Sequence, residues 1–170
     1  MNRKLATSGL LLALILAADI ITKRWAFEAL WHGQTTSFGF VPLTLTFNTG
    51  VAFGLGIGGF RWLIVTGTIL VMAALTVLLR QADITDRLRI FSIAAVMAGA
   101  AGNLIDRLRW ERGVVDFIGP INLGVANFPI FNVADMAITC GAFLLAISLW
   151  QEERAVEARK TAVETSTDPI

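Results

Sequence analysis

The chain has 170 residues, 55% of them hydrophobic and only 16% charged, with a formal net charge of +1 and a mean hydropathy of +0.68. This is too apolar for a soluble domain of that length, and the charge gives no basis for a nucleic-acid partner. The one cysteine, Cys140, lies in an apolar run and excludes an intrachain disulfide or a cysteine cluster; the one histidine, His32, reads as a surface residue beside a Trp.

In chain order, Asn2-Arg3-Lys4 and an apolar run to Ala17-Ala18 have the outline of a secretory signal. Apolar residues continue through Ile20, Ile21, Trp25 and Phe27, however, and three further spans follow, so a retained first helix is expected over about 5–27. Asp19 and Lys23 lie four apart on one face of it and can pair, with the lysine stem snorkelling towards the interface. In the long segment 28–59, Leu43-Thr44-Leu45-Thr46-Phe47 alternates as a half-buried strand should. It runs into the turn Asn48-Thr49-Gly50 and a glycine-dense stretch to Gly59, which suits a flexible or closely approached backbone.

A second span, 60–79, carries only Arg61 near its start. A compact polar loop at Arg80–Arg89 leads to a third, 90–105, short and rich in small residues; Ala94, Ala98 and Gly102 recur at the spacing that lets another helix approach closely. Asp106-Arg107 closes it and can be read as an interfacial ion pair. In segment 107–130, Val114–Ile118 reads as a second short strand, stopped by Gly119-Pro120. It carries Asp116, which could simply sit on the wet face of an edge strand. The fourth span, 131–150, opens on Asn132, a good N-cap, with Asp135 three residues later, where a carboxylate caps backbone N–H groups and complements the helix dipole. The tail from Gln151 is charged, then rich in Ala, Thr and Glu, and is expected to be disordered. The fold class expected is therefore a mainly α membrane protein: one domain, 1–150, of four transmembrane helices and a small extramembrane β-sheet, followed by tail 151–170.

Four spans put both termini on one side. Arg3, Lys4, Arg80, Arg87, Arg89, Arg154, Arg159 and Lys160 on that side outnumber Lys23, Arg24, Arg61, Arg107, Arg109 and Arg112 on the other, which makes the first side cytoplasmic.

A carboxylate in or at the edge of a bilayer is expensive, and marks function. If Asp116 and Asp135 meet, they can share one proton, the basis of aspartic proteolysis without a cofactor. No H-E-x-x-H, G-x-S-x-G or Gly-Lys-Ser/Thr phosphate loop offers another chemistry. A small transport or channel subunit, with Asp19, Asp106 and Asp135 lining a polar path, is the alternative; a purely structural scaffold leaves the pair unexplained.

The motifs Asp19…Lys23, Phe47-Asn48-Thr49-Gly50-Val51-Ala52-Phe53, Ala101-Gly102-Asn103-Leu104-Ile105-Asp106-Arg107, Gly113-Val114-Val115-Asp116-Phe117-Ile118 and Phe128-Pro129-Ile130-Phe131-Asn132-Val133-Ala134-Asp135 occur in that order. In this the chain resembles bacterial lipoprotein signal peptidase, signal peptidase II, from about Asp19 to the end of the fourth span. The resemblance implies an inner-membrane aspartic endopeptidase that needs no cofactor or metal. It would act among membrane lipids, as a monomer, on diacylglyceryl-modified prolipoproteins, cutting before the lipidated cysteine at the periplasmic face. It implies Asp116 and Asp135 as the catalytic dyad, and Asn48, Gly50, Asn103, Asp106, Arg107 and Asn132 as residues that shape the site, with Asp19 and Lys23 as a supporting pair. It also implies a periplasmic β-cradle and a mobile segment, around Phe53–Gly59, over the site. Two places depart from the family pattern: Ile20 stands where Gln usually follows the first-helix Asp, and Leu108–Arg112 is slightly longer and more charged.

Overall fold

The computed structural model describes residues 3–50 and 58–167. Four helices, α1 (Arg3–Leu30), α2 (Gly58–Gln81), α3 (Arg87–Arg109) and α4 (Val133–Thr167), are each long and apolar enough to cross a membrane. The strands β1 (Thr35–Phe38), β2 (Val41–Asn48), β3 (Val114–Ile118), β4 (Ile121–Asn122) and β5 (Asn127–Phe128) lie between them in sequence. The segment around Phe53–Gly59, expected to be mobile, lies mainly outside the described residues.

Helix α3 is central: 56% of its apolar window is buried, against 11–17% for the other three. Its small residues explain this, since Ala94, Ala98 and Gly102 are all buried against neighbouring helices. Leu75 and Leu79 of α2 pack there on Ile90 and Ile93 of α3. The other helices expose large side chains such as Leu14, Ile21, Leu63, Leu70 and Phe143, as a lipid-facing surface requires. Helix α3 extends beyond the expected 90–105 at both ends. The Asp86 side chain accepts from the Arg89 N–H at 2.9 Å and caps its start. Its charged flanks, Arg87–Arg89 and Arg107–Arg109, are helical but invisible to an apolar pattern.

The tail expected to be disordered is instead helical to Thr167. Glu, Ala, Arg and Lys are good helix formers, and a tail growing from an existing helix has no nucleation cost. Glu152 of this tail pairs with Arg89 of α3.

Strands β1, β2 and β3 form an antiparallel sheet in that order, with Phe47 opposite Val115, Thr46 opposite Asp116, and an irregularity between Leu43 and Thr46. β1 was not expected: it is polar and wholly exposed, without the alternation that marks β2. β4 and β5 form a separate short hairpin. Two contacts decide where the sheet sits. Phe117 packs on Ala26 and Leu30 at the end of α1. Beyond β3, the Phe131 N–H donates to the Ile118 carbonyl at 3.0 Å and its carbonyl accepts from the Ile118 N–H at 2.9 Å. The residue before the α4 cap is thereby stitched to the strand that carries Asp116.

Candidate active site

Asn132 is the hinge of the site. Its Oδ1 accepts from the Asp135 N–H at 2.8 Å, while its own N–H donates to Asp135 Oδ2 at 3.2 Å, a reciprocal cap on α4. Its Nδ2 meanwhile donates to Asp116 Oδ1 at 2.6 Å. One buried asparagine thus touches both carboxylates. The second oxygen of Asp135 accepts from Asn103 Nδ2 of α3 at 2.8 Å, and Asn132 Nδ2 lies 3.1 Å from Asn103 Oδ1.

The two acids differ in surroundings. Asp135 is half-buried at the helix N-terminus, whereas Asp116 is 1% exposed. Asp116 therefore does not occupy a wet strand face: β3 is covered by α1 and by the stretch entering α4, so both of its faces are buried. Burial raises the Asp116 carboxyl to about 6; hydrogen bonds from Asn48 and Asn132 pull it down, and the Asp135 charge pushes it up.

Lys23 centres a second cluster. Its Nζ lies 2.8 Å from Asp19 Oδ2, 2.9 Å from Asp106 Oδ2 and 3.0 Å from Asn103 Oδ1. The ammonium faces two carboxylates and an amide oxygen, and the side chain is buried rather than snorkelling, because the two carboxylates hold it inside. Asp106 pairs with this lysine of α1 rather than with its neighbour Arg107, and also accepts the Val115 N–H at 3.3 Å. Asp19 reaches further: its Oδ1 accepts the Ala134 N–H at 2.9 Å and so caps α4 from α1. Asn103 belongs to both clusters and joins them.

Gly102 is what lets α1 and α3 close on this cluster. A Cβ there would lie 2.3 Å from Asp19 Oδ2. Asp19 is fully buried and held on both oxygens, so Gly102→Ala is expected to cost about 1–3 kcal/mol, read as a lower Tm in detergent.

Asn48, Gly50 and Arg107 complete the expected set. Asn48 Oδ1 accepts the Gly50 N–H at 2.8 Å, and Gly50 has φ +76°, with Arg107 Nη2 3.4 Å from where its Cβ would be. Arg107 is half-buried, and its Nη1 donates to the Asn103 carbonyl at 3.4 Å. Arg61, given no role from sequence, donates from Nε to the Arg107 carbonyl at 2.6 Å and from Nη2 to the Leu108 carbonyl at 3.2 Å, closing the end of α3. A lone cation opening an otherwise apolar span was the signal for it. Ile20 is 41% exposed and takes no part in the polar clusters. Among the described residues no group of three or more His, Cys, Asp or Glu side chains is placed to hold a metal.

Two solved structures described as bacterial membrane enzymes share this fold. One has a TM-score of 0.76 and 31% identity over 85% of this chain and 92% of its own; the other has 0.73 and 29% over 87% and 90%. Four membrane-length helices in this arrangement make the protein a multi-pass membrane protein. The family described as Signal peptidase (SPase) II matches residues 11–151. Proteins named lipoprotein signal peptidase from Maridesulfovibrio salexigens and Francisella tularensis subsp. novicida are 35% and 37% identical to it, in matches that cover 86% of this chain and 96% and 93% of theirs. The chain belongs to the signal peptidase II family and is a peptidase, hence a hydrolase. That membership sets aside the transport-subunit alternative.

Proposed function

We propose that this peptidase removes the signal peptide of diacylglyceryl-modified prolipoproteins, cutting before the lipidated cysteine, with Asp116 and Asp135 as the catalytic pair. The observation that carries the reading is the shared Asn132, hydrogen-bonded to both carboxylates, between an acid in dry surroundings and one at a helix N-terminus. Asp116, in the drier surroundings, holds the proton at rest, and Asp135, at the helix N-terminus, serves as the base. Asp135 takes a proton from a water held between them, the resulting hydroxide adds to the scissile carbonyl carbon, and Asp116 gives its proton to the carbonyl oxygen. As the tetrahedral intermediate collapses, the C–N bond breaks, Asp135 gives its proton to the departing amine of the lipidated cysteine, and Asp116 recovers a proton from the gem-diol hydroxyl. Asn48, Gly50, Asn103 and Arg107 line the place where the peptide would lie, and Asp19, Lys23 and Asp106 hold the helix ends that carry the pair. The sheet end faces outward, at the periplasmic side, and both termini are cytoplasmic, as the Arg/Lys distribution favours.

The test is cleavage by the purified full chain of a diacylglyceryl-modified precursor beside the same precursor unmodified, with products weighed by mass spectrometry. Release of the signal peptide from the lipidated form alone, cut before its cysteine, is expected. Equal cutting of both forms would sink the substrate assignment. The pH dependence follows from the acid donor. Below about 6 Asp116 keeps its proton; above that value it is ionised and the donor is lost. kcat/KM should therefore fall by about tenfold per pH unit on the alkaline side of this value. A flat profile from about pH 5 to about pH 8 would count against Asp116 as donor.

A further inference from the structure

A groove of about 270 Å³ lies between α1 and α3 at the sheet end of the bundle, and neither Asp116, Asp135 nor Asn132 lines it. Its wall is apolar, formed by Ile20, Phe27, Ile105 and Val115. Deep in it the Lys23–Asp106 pair is already satisfied. At the rim, Arg24 pairs with Glu28 at 2.9 Å, an exposed contact that is weak and easily rearranged. Arg109 is different: among the described residues it makes no ion pair, and its guanidinium lies 5.8 Å from the Trp110 ring. Lys23 is thus matched by Asp19 and Asp106 and Arg24 by Glu28, which leaves Arg109 as the cation without an ion pair at the mouth, among the described residues.

The rim continues as an aromatic and arginine belt. Trp110 stacks on Phe27 with centroids 5.8 Å apart, and Arg112 lies over Trp31 at 5.0 Å and Phe47 at 5.7 Å. Such belts sit at head-group depth in a bilayer. Arg109, Trp110 and Arg112 all come from Leu108–Arg112, the stretch that departs from the family pattern and that peptide cleavage leaves unused. An apolar wall below an uncompensated arginine, reached past exposed Ile20 of lipid-facing α1, fits an amphiphile with an anionic head. The lipid of the cleaved substrate is a diacylglyceryl thioether and carries no phosphate, so it does not match.

We infer that this groove binds an anionic glycerophospholipid, with its phosphate on Arg109, joined by Arg24, and its acyl chains along Ile20 and Ile105. Arginine is the side chain suited to such a phosphate, through paired charge-assisted hydrogen bonds. The test is native mass spectrometry of the detergent-solubilised full chain titrated with phosphatidylglycerol and, separately, with diacylglycerol of the same chains. Phosphatidylglycerol should bind about tenfold more tightly; Arg109→Gln should abolish that preference and Arg109→Lys should keep most of it. Arg112→Gln, changed outside the groove, should leave it intact. Equal affinity for the two lipids in the unmodified chain, an undiminished preference in Arg109→Gln, or an equal loss in Arg112→Gln would each overturn the proposal, the last in favour of a diffuse basic surface.

Discussion

Asp116→Asn and Asp135→Asn should each lower kcat on a lipidated precursor by at least about 10³-fold, and the double variant should be little worse than either alone. The first is the cleaner experiment. Asparagine at 116 can still accept from Asn132 Nδ2, so the 2.6 Å contact survives, and removing a carboxyl whose ionisation burial opposes offsets any weakening of the Asn48 hydrogen bond. An inactive Asp116→Asn protein whose Tm equals or exceeds that of the unmodified chain would separate catalysis from scaffolding. At 135 the amide can replace only one of the two acceptors now used by the Asn132 N–H and Asn103 Nδ2, so a lower Tm should accompany the lost activity. Near-normal cleavage by either variant would end the paired-carboxylate account.

Lys23→Met should produce the largest loss of stability, about 3–5 kcal/mol, because it leaves Asp19 and Asp106 buried without their cation. The damage should spread, since Asp19 caps α4 at Ala134 and Asp106 holds the Val115 N–H next to Asp116. Thermal unfolding in detergent checks it. Adding Asp19→Asn and Asp106→Asn to Lys23→Met should recover much of the loss, as the uncompensated charges disappear while acceptors remain. A fall in Tm no larger than that of an exposed substitution such as Glu153→Gln would show that the cluster contributes little to the fold.

How much of this was legible beforehand differs by element. The spans were, because an apolar run of membrane length is a local property, but their ends were not: charged turns at Arg87–Arg89 and Arg107–Arg109 remain helical once capped. Strand β2 announced itself by alternation; β1, polar and exposed, had no pattern to read. Asp135 was readable equally as a cap and as a functional acid, and its geometry does serve as a cap, through the reciprocal bonds with Asn132. Nothing local could reveal that the same asparagine also holds Asp116, sixteen residues earlier.

The sequence by itself determined the membrane class, the four spans and the chemical types available, because hydropathy, periodicity and residue identity are read from neighbours along the chain. It also marked Asp116 and Asp135 as costly residues in need of a purpose. Only the tertiary structure decided their surroundings. Asp116 is dry because α1 and the entry to α4 close over β3, and Lys23 stays inside because Asn103, 80 residues away, and Asp106 meet it there. Burial, pairing and the shift of an acid all depend on which distant segments pack together, and no local pattern encodes that.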